Sequence, residues 1–216
     1  MRVTAVVLMV LLGVGIASAA TDQAMTREQA LAALADKNNA ESRRLGAAWL
    51  GNMGQMQDVP LLVETLRDPD AEVSTQAEQS LWQIWGRSGD PDVDAMYQRG
   101  VDQMNERDFG DAIETFSRII QKKPDFAEGW NKRATIYYLV GEYEKSLADC
   151  EEVLRRNPVH FGVLSGFGLN YLQLSKPEQA LDYFERALAV NPNLGQIQAA
   201  VEALKQFLAK KSRDSI

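Results

Sequence analysis

The sequence predicts an all-α protein, a helical-repeat solenoid, and two observations carry that expectation. Residues 93–126, 127–160 and 161–194 align beneath one another without insertion or deletion, a period of 34. Each unit holds an apolar stripe at 3.6-residue spacing, a break at "RDF", "GEY" or "SKP", a second stripe, and a closing proline at Pro124, Pro158 or Pro192. Such a unit is a helical hairpin, and stacked hairpins bury one continuous core. Upstream, "AESRRLGAAWLGNMG" and "EVSTQAEQSLWQIWG" also align at a constant offset, with Leu45 matching Ala77, Trp49 matching Leu81 and Gly54 matching Gly86.

Taken in order, the chain opens with Met1-Arg2, the apolar run "VTAVVLMVLLGVGI" and the small residues Ala17-Ser18-Ala19, then turns polar at Thr21-Asp22. That pattern reads as a cleaved signal peptide over residues 1–19. The alternative is an uncleaved helix that tethers the protein, since about 18 to 20 apolar residues can span a bilayer. No cysteine follows the run, which excludes a thioether-linked lipid there.

Thr26 and Gln29 form a capping box for a first helix, "TREQALAALADK". Pro60 suits the first turn of a helix, and Asp68-Pro69-Asp70 is a turn followed by a new helix start. Residues 25–86 therefore read as two helix pairs, and "GRSGDPD" places a linker at 87–92. After the third repeat unit, residues 195–212 form one more amphipathic helix with Leu194, Ile197, Val201, Leu204 and Leu208 on one face, suited to cover the end of the array.

Within the three repeat units, Gly100, Ala134 and Gly168 recur at the eighth position, Ala112, Ser146 and Ala180 at the twentieth, and Phe116, Cys150 and Phe184 at the twenty-fourth. The small residues let the two helices approach, and the larger one fills the hairpin. With Trp130, Ala134, Tyr137, Gly141, Tyr143, Ser146 and Pro158 in the middle unit, the segment resembles the tetratricopeptide repeat family: three repeats plus a capping helix. The stretch "DVPLLVETLRDPDAEV…A…SL" resembles HEAT repeats, although Thr75 stands near the position where that family often has an arginine.

Composition narrows function. The net charge of −7 becomes −8 once the segment carrying Arg2 is removed, and the basic runs Arg155-Arg156 and Lys210-Lys211 are short. Nucleic acid and anionic lipid need clustered cations, so neither is an expected partner. A single histidine, His160, and a single cysteine, Cys150, leave no basis for a triad, a nitrogen or sulfur metal site, or an internal disulfide. "GVLSGFG" lacks the Lys-Ser/Thr of a phosphate loop. No cofactor and no catalytic residue are expected; the contrary reading, an enzyme working through carboxylates, has no pair that stands out.

The repeat frame supplies a concave groove lined by positions 2, 5, 9, 12 and 13 of each first helix. The residues expected to meet a partner are Tyr97, Val101, Met104, Asn105, Asn131, Thr135, Tyr138, Leu169, Leu172 and Gln173. Asp94, Glu128, Leu139, Gly162 and Ser165 share the same positions. Chaperone-binding members of the resembled family hold a terminal carboxylate with Lys, Arg and Asn; here those positions carry Tyr97, Val101, Lys132, Gly162 and Gly166, so that activity does not carry over. The expectation is an exported, periplasmic, non-catalytic scaffold that binds an apolar or helical peptide of an envelope protein, with no membrane contact after cleavage.

Overall fold

The computed structural model describes residues 25–214, all in helices and connecting turns; the expected leader lies outside the described residues. The first hairpin pairs α1 (Arg27–Leu34) with α2 (Ala40–Met53). A short 3-10 turn at Met56–Asp58 leads to α3 (Val59–Thr65) and α4 (Ala71–Trp85). Then follow α5 (Pro91–Asn105) with α6 (Phe109–Lys122), α7 (Ala127–Leu139) with α8 (Tyr143–Arg156), α9 (Phe161–Gln173) with α10 (Pro177–Val190), and α11 (Gly195–Asp214). Among the described residues no helix is long and apolar enough to cross a membrane.

Each helix begins where its local chemistry allows. Thr26 and Gln29 form the reciprocal capping box of α1, and Asp70 accepts the Glu72 and Val73 backbone N–H groups at the start of α4. The three downstream hairpins turn in one way. Arg107, Gly141 and Ser175, which hold the same place in successive repeats, all have positive φ, at 63°, 82° and 57°. The following residue's N–H reaches back to the carbonyl of Gln103, Tyr137 or Tyr171 at 2.8–2.9 Å, the backbone signature of a glycine-type helix stop. Only the middle unit uses glycine there.

The hairpin interiors follow a size rule. A Cβ built on Gly100 would lie 2.7 Å from the Phe116 ring, and one on Gly168 would lie 2.3 Å from that of Phe184. In the middle unit the eighth position is Ala134, and the residue opposite shrinks from Phe to the buried Cys150. The volume one helix gains the other gives up, as close packing demands. Burial pushes the Cys150 thiol up to about 12, which leaves it un-ionised and inert at neutral pH.

The upstream helix pairs correct the expected register. The offset between their N-caps, Asn39 and Asp70, is shorter by one position than that between Leu45 and Ala77. Leu45 is 46% exposed, and Gly46 occupies the buried place that Ala77 takes in α4. The extra residue of α4 restores the spacing by the stops at Gly54 and Gly86, which is why the sequence alignment by glycines slipped by one. Gly46 is needed for contact: a Cβ there would sit 2.6 Å from the Ala30 carbonyl of α1.

A second difference matters more. The apolar cluster of the upstream helices contains Leu50, Leu62, Leu66, Leu81, Ile84 and Trp85, and it takes in Phe161, Val159, Val190 and Leu194 from the far end of the chain, with no residue of α5. The upstream module therefore folds back onto the loops that join successive hairpins. Leu194, expected to serve the capping helix, packs here instead, while Ile197, Val201 and Leu204 cover Phe184.

Candidate peptide-binding groove

Helices α5, α7 and α9 lie side by side and form the inner face of the array. The N-terminal ends of these helices make one edge of that face, the loop edge. Their C-terminal ends, at the hairpin turns, make the other.

The loop edge is closed by the upstream module. Trp82 of α4 lies over Gly162, where a Cβ would meet its ring at 2.5 Å. The Trp82 ring stands edge-on to Phe161 at 5.3 Å, and Trp85 stacks on His160 at 4.4 Å with 22° between planes. Polar bonds fix the seam: Asn191 Nδ2 donates to Glu78 at 3.0 Å, Asn193 Nδ2 to the Leu66 carbonyl at 2.7 Å, and the Arg67 guanidinium to the Ala189 and Val190 carbonyls.

Beneath the tryptophans sits a buried polar chain. His160 caps α9: its Nδ1 accepts the Val163 N–H at 3.2 Å, which leaves the ring proton on Nε2, donated to Glu128 Oε1 at 2.6 Å. Glu128 also accepts from Asn131 Nδ2 at 2.9 Å. Burial alone would raise the Glu128 carboxyl, but the hydrogen bond and charge of His160, with Lys132 and the Asn131 hydrogen bond behind them, outweigh it and hold the group below the usual carboxylate range. Burial, with the Glu128 charge behind it, drives the Tyr97 phenol well above its ordinary value.

These contacts correct part of the expected groove. Tyr97 is held edge-on between Phe116 at 6.0 Å and Phe126 at 5.6 Å, and with Val101 and Met104 it packs on the core of the first hairpin. Asp94 accepts the Ser88 N–H at 2.8 Å. Position 2 of every repeat is thus engaged within the protein: Asp94 by the linker, Glu128 by His160, Gly162 by Trp82. Asn105 is exposed on its own at the end of α5.

Other expected residues come together along the seam between α7 and α9, from Gly162 near the loop edge towards Leu169. Asn131, Thr135, Tyr138, Ser165 and Leu169 line a cleft of about 170 Å³ between α7 and α9, floored by Cys150. Gln173 Nε2 donates to the Tyr138 hydroxyl at 3.5 Å. Leu169, in its wall, is 39% exposed, and Leu139 and Leu172, near the C-terminal ends of α7 and α9, are 52% and 37% exposed.

Asn170, absent from the expected set, completes the cleft. Its Nδ2 donates to Ser146 Oγ at 2.9 Å and to the Gly166 carbonyl at 2.8 Å, and its Oδ1 is a buried acceptor with no partner among the described residues. The signal was available: the matching residue in the middle unit is Ile136, so a fully buried amide at that slot asks for a donor. Among the described residues no group of three or more His, Cys, Asp or Glu could hold a metal ion.

Profiles of the tetratricopeptide repeat match residues 94–125 and 125–193. A TPR repeat-containing protein of Rhizobium etli is 34% identical over 143 residues, 66% of this chain and 69% of that protein. The chain belongs to the tetratricopeptide repeat family. Among solved structures, the TPR domain of Sgt2 from Aspergillus fumigatus superposes with a TM-score of 0.54 at 20% identity, over 57% of this chain and 83% of that one. The first TPR of Spaghetti, bound to an HSP90 peptide, gives 0.52 at 20% identity, over 54% and 93%. At that identity the likeness shows the fold.

Proposed function

We propose that this tetratricopeptide repeat protein is an exported, non-catalytic adaptor that holds an apolar segment of another envelope protein in the cleft between α7 and α9. The observation that carries the reading is the cleft lined by Asn131, Thr135, Tyr138 and the exposed Leu169, with Asn170 and its unpartnered Oδ1 in the wall. Asn131 and Thr135 offer amide and hydroxyl oxygens to the backbone of a bound peptide, and Tyr138 and Leu169 offer apolar surface to its side chains. Binding of a peptide by a TPR neighbour, as in the HSP90 complex, supports the class of ligand. Export rests on the leader-like residues 1–19. The HEAT-like upstream helices act as the cover of the array.

The test is capture of partners by the mature protein and by Leu169→Ser with Tyr138→Ala. Truncating anchors at the centre of an interface costs about 2 kcal/mol or more each, roughly thirtyfold in affinity. Partner capture that survives this change but disappears in Glu114→Ala, on the outer helix α6, would move the site to the convex face. N-terminal sequencing of the exported protein reads cleavage directly, and a retained leader would make it a tethered adaptor.

A further inference from the structure

A second cavity, of about 330 Å³, opens where the upstream module meets the loops of the first two repeats. Its walls include Met56, Trp85, Arg87, Lys123, Phe126 and Asn157. Trp85 and Asn157 are 4% and 3% exposed, and Trp85 Nε1 and Asn157 Nδ2 are buried donors with no acceptor among the described residues. Two unanswered donors in one cavity ask for an acceptor, since an unmade buried bond is costly.

The charge has the complementary sign. Arg87 and Lys123 have no carboxylate within ion-pair distance among the described residues. Arg87 gives its guanidinium to the Gly51 and Gly54 carbonyls at 2.6 and 2.7 Å, with Asp94 the carboxylate that supports its charge from further off. Lys123 bears weakly on Asp90. Arg156 also lines the cavity but is already paired with Glu152, and Asp125 is the acid at its wall.

The molecule itself shows what this loop position binds. Asn191 occupies in the third repeat the place of Asn157 in the second. Its Oδ1 accepts the Asn193 N–H at 3.0 Å, which orients the amide, and its Nδ2 donates to the carboxylate of Glu78 at 3.0 Å. One repeat earlier the same amide belongs to the wall of a cavity, and no carboxylate meets it among the described residues. We propose that the cavity takes a small organic carboxylate with an apolar body: the carboxylate on Asn157 Nδ2 and Trp85 Nε1 with Arg87 and Lys123 as counter-charges, the body against Met56 and Phe126. This site is separate from the cleft between α7 and α9 and stands without it.

Benzoate, its neutral isostere benzamide and inorganic phosphate are titrated into the folded chain labelled with nitrogen-15. The readout is the indole N–H resonance of Trp85, identified by its loss in Trp85→Phe. The expected result is a saturable shift with benzoate, none with benzamide, and a weaker one with phosphate, which lacks an apolar body. Lys123→Gln should weaken benzoate on the order of tenfold, the worth of one charge-assisted contact. Asn157→Asp, which swaps the donor for an acceptor, should abolish it, and a superimposable spectrum elsewhere checks its fold. No shift with benzoate, an equal shift with benzamide, phosphate binding as tightly as benzoate, or unchanged affinity in Lys123→Gln would each overturn the site.

Discussion

At the loop edge of the groove every inner-helix position is spoken for: Asp94 holds the linker, Glu128 holds His160, and Gly162 lies under Trp82. Further along the same helices, Leu139, Leu169 and Leu172 are exposed, and Leu169 lines a cleft with one unanswered acceptor in its wall. The two edges descend from one repeat pattern, so the difference does not come from the repeats. It comes from a second module laid across one edge. A repeat scaffold offers the same surface many times, and what is added to it decides which part stays available.

The largest effect tests whether the closed edge is held by packing. Trp82→Ala empties the contact with His160, Phe161 and Gly162 at once, and large-to-small changes at such aromatic positions cost about 3 kcal/mol or more. Urea unfolding should show that loss. A change below about 1 kcal/mol would mean that the module only rests on the array.

The buried carboxylate gives the closed edge a pH signature. The Glu128 carboxyl is depressed in the folded protein, so it adds stability above the ordinary carboxylate value, near 4.3, that is lost as the pH falls through its folded value. Glu128→Gln should cost about 1–3 kcal/mol at neutral pH, because a neutral amide oxygen replaces the charged acceptor of the His160 hydrogen bond, and should flatten the fall in stability below about pH 4. An unaltered acid limb of the stability profile would show that Glu128 does not set it.

Two glycines on successive turns of α9 should respond with opposite sign. A Cβ on Gly162 would meet Trp82 at 2.5 Å, whereas one on Gly166, at the cleft, finds only Cys150 Sγ at 3.9 Å. Gly162→Ala should destabilise by about 1–3 kcal/mol through overpacking, and Gly166→Ala should stabilise by up to about 1 kcal/mol through helix propensity. Thermal unfolding of both variants decides it; equal responses would erase the distinction between the edges. The smallest effect belongs to the open edge itself, where Leu172→Ser should stay within about 0.5 kcal/mol of the parent in stability, as exposed sites do.

The three hairpins were legible because their repeat period is local and uninterrupted, and the size rule at Gly100, Ala134 and Gly168 could be read from single residues. The upstream pairs were legible as helices but slipped by one position, since the glycine stops that align best in sequence do not mark equivalent buried positions. The docking of α4 on residues 159–162 was not read at all, because contacts between Trp82 and Gly162 join segments with no shared periodicity. A hint lay in the repeat frame: the last position is Phe126 and Leu194 in two units and His160 in the other, so a lone polar residue at a core slot implied a buried partner. The packing of three expected groove residues was hidden for the same reason. Tyr97, Val101 and Met104 sit at positions that face a groove in an open array, and here they are also partly buried against the core of the first hairpin.

The central claim is that the upstream module lies on the loop edge of the repeats in the folded protein. Nuclear Overhauser contacts between the Trp82 ring and the Gly162 Hα protons report on it with no substitution, because the contact is closer than a methyl group would allow. Strong cross-peaks are expected, with the Gly162 Hα resonances displaced by the indole ring current. Their absence in a protein whose helices are otherwise formed would show that the edge is open and contradict the claim.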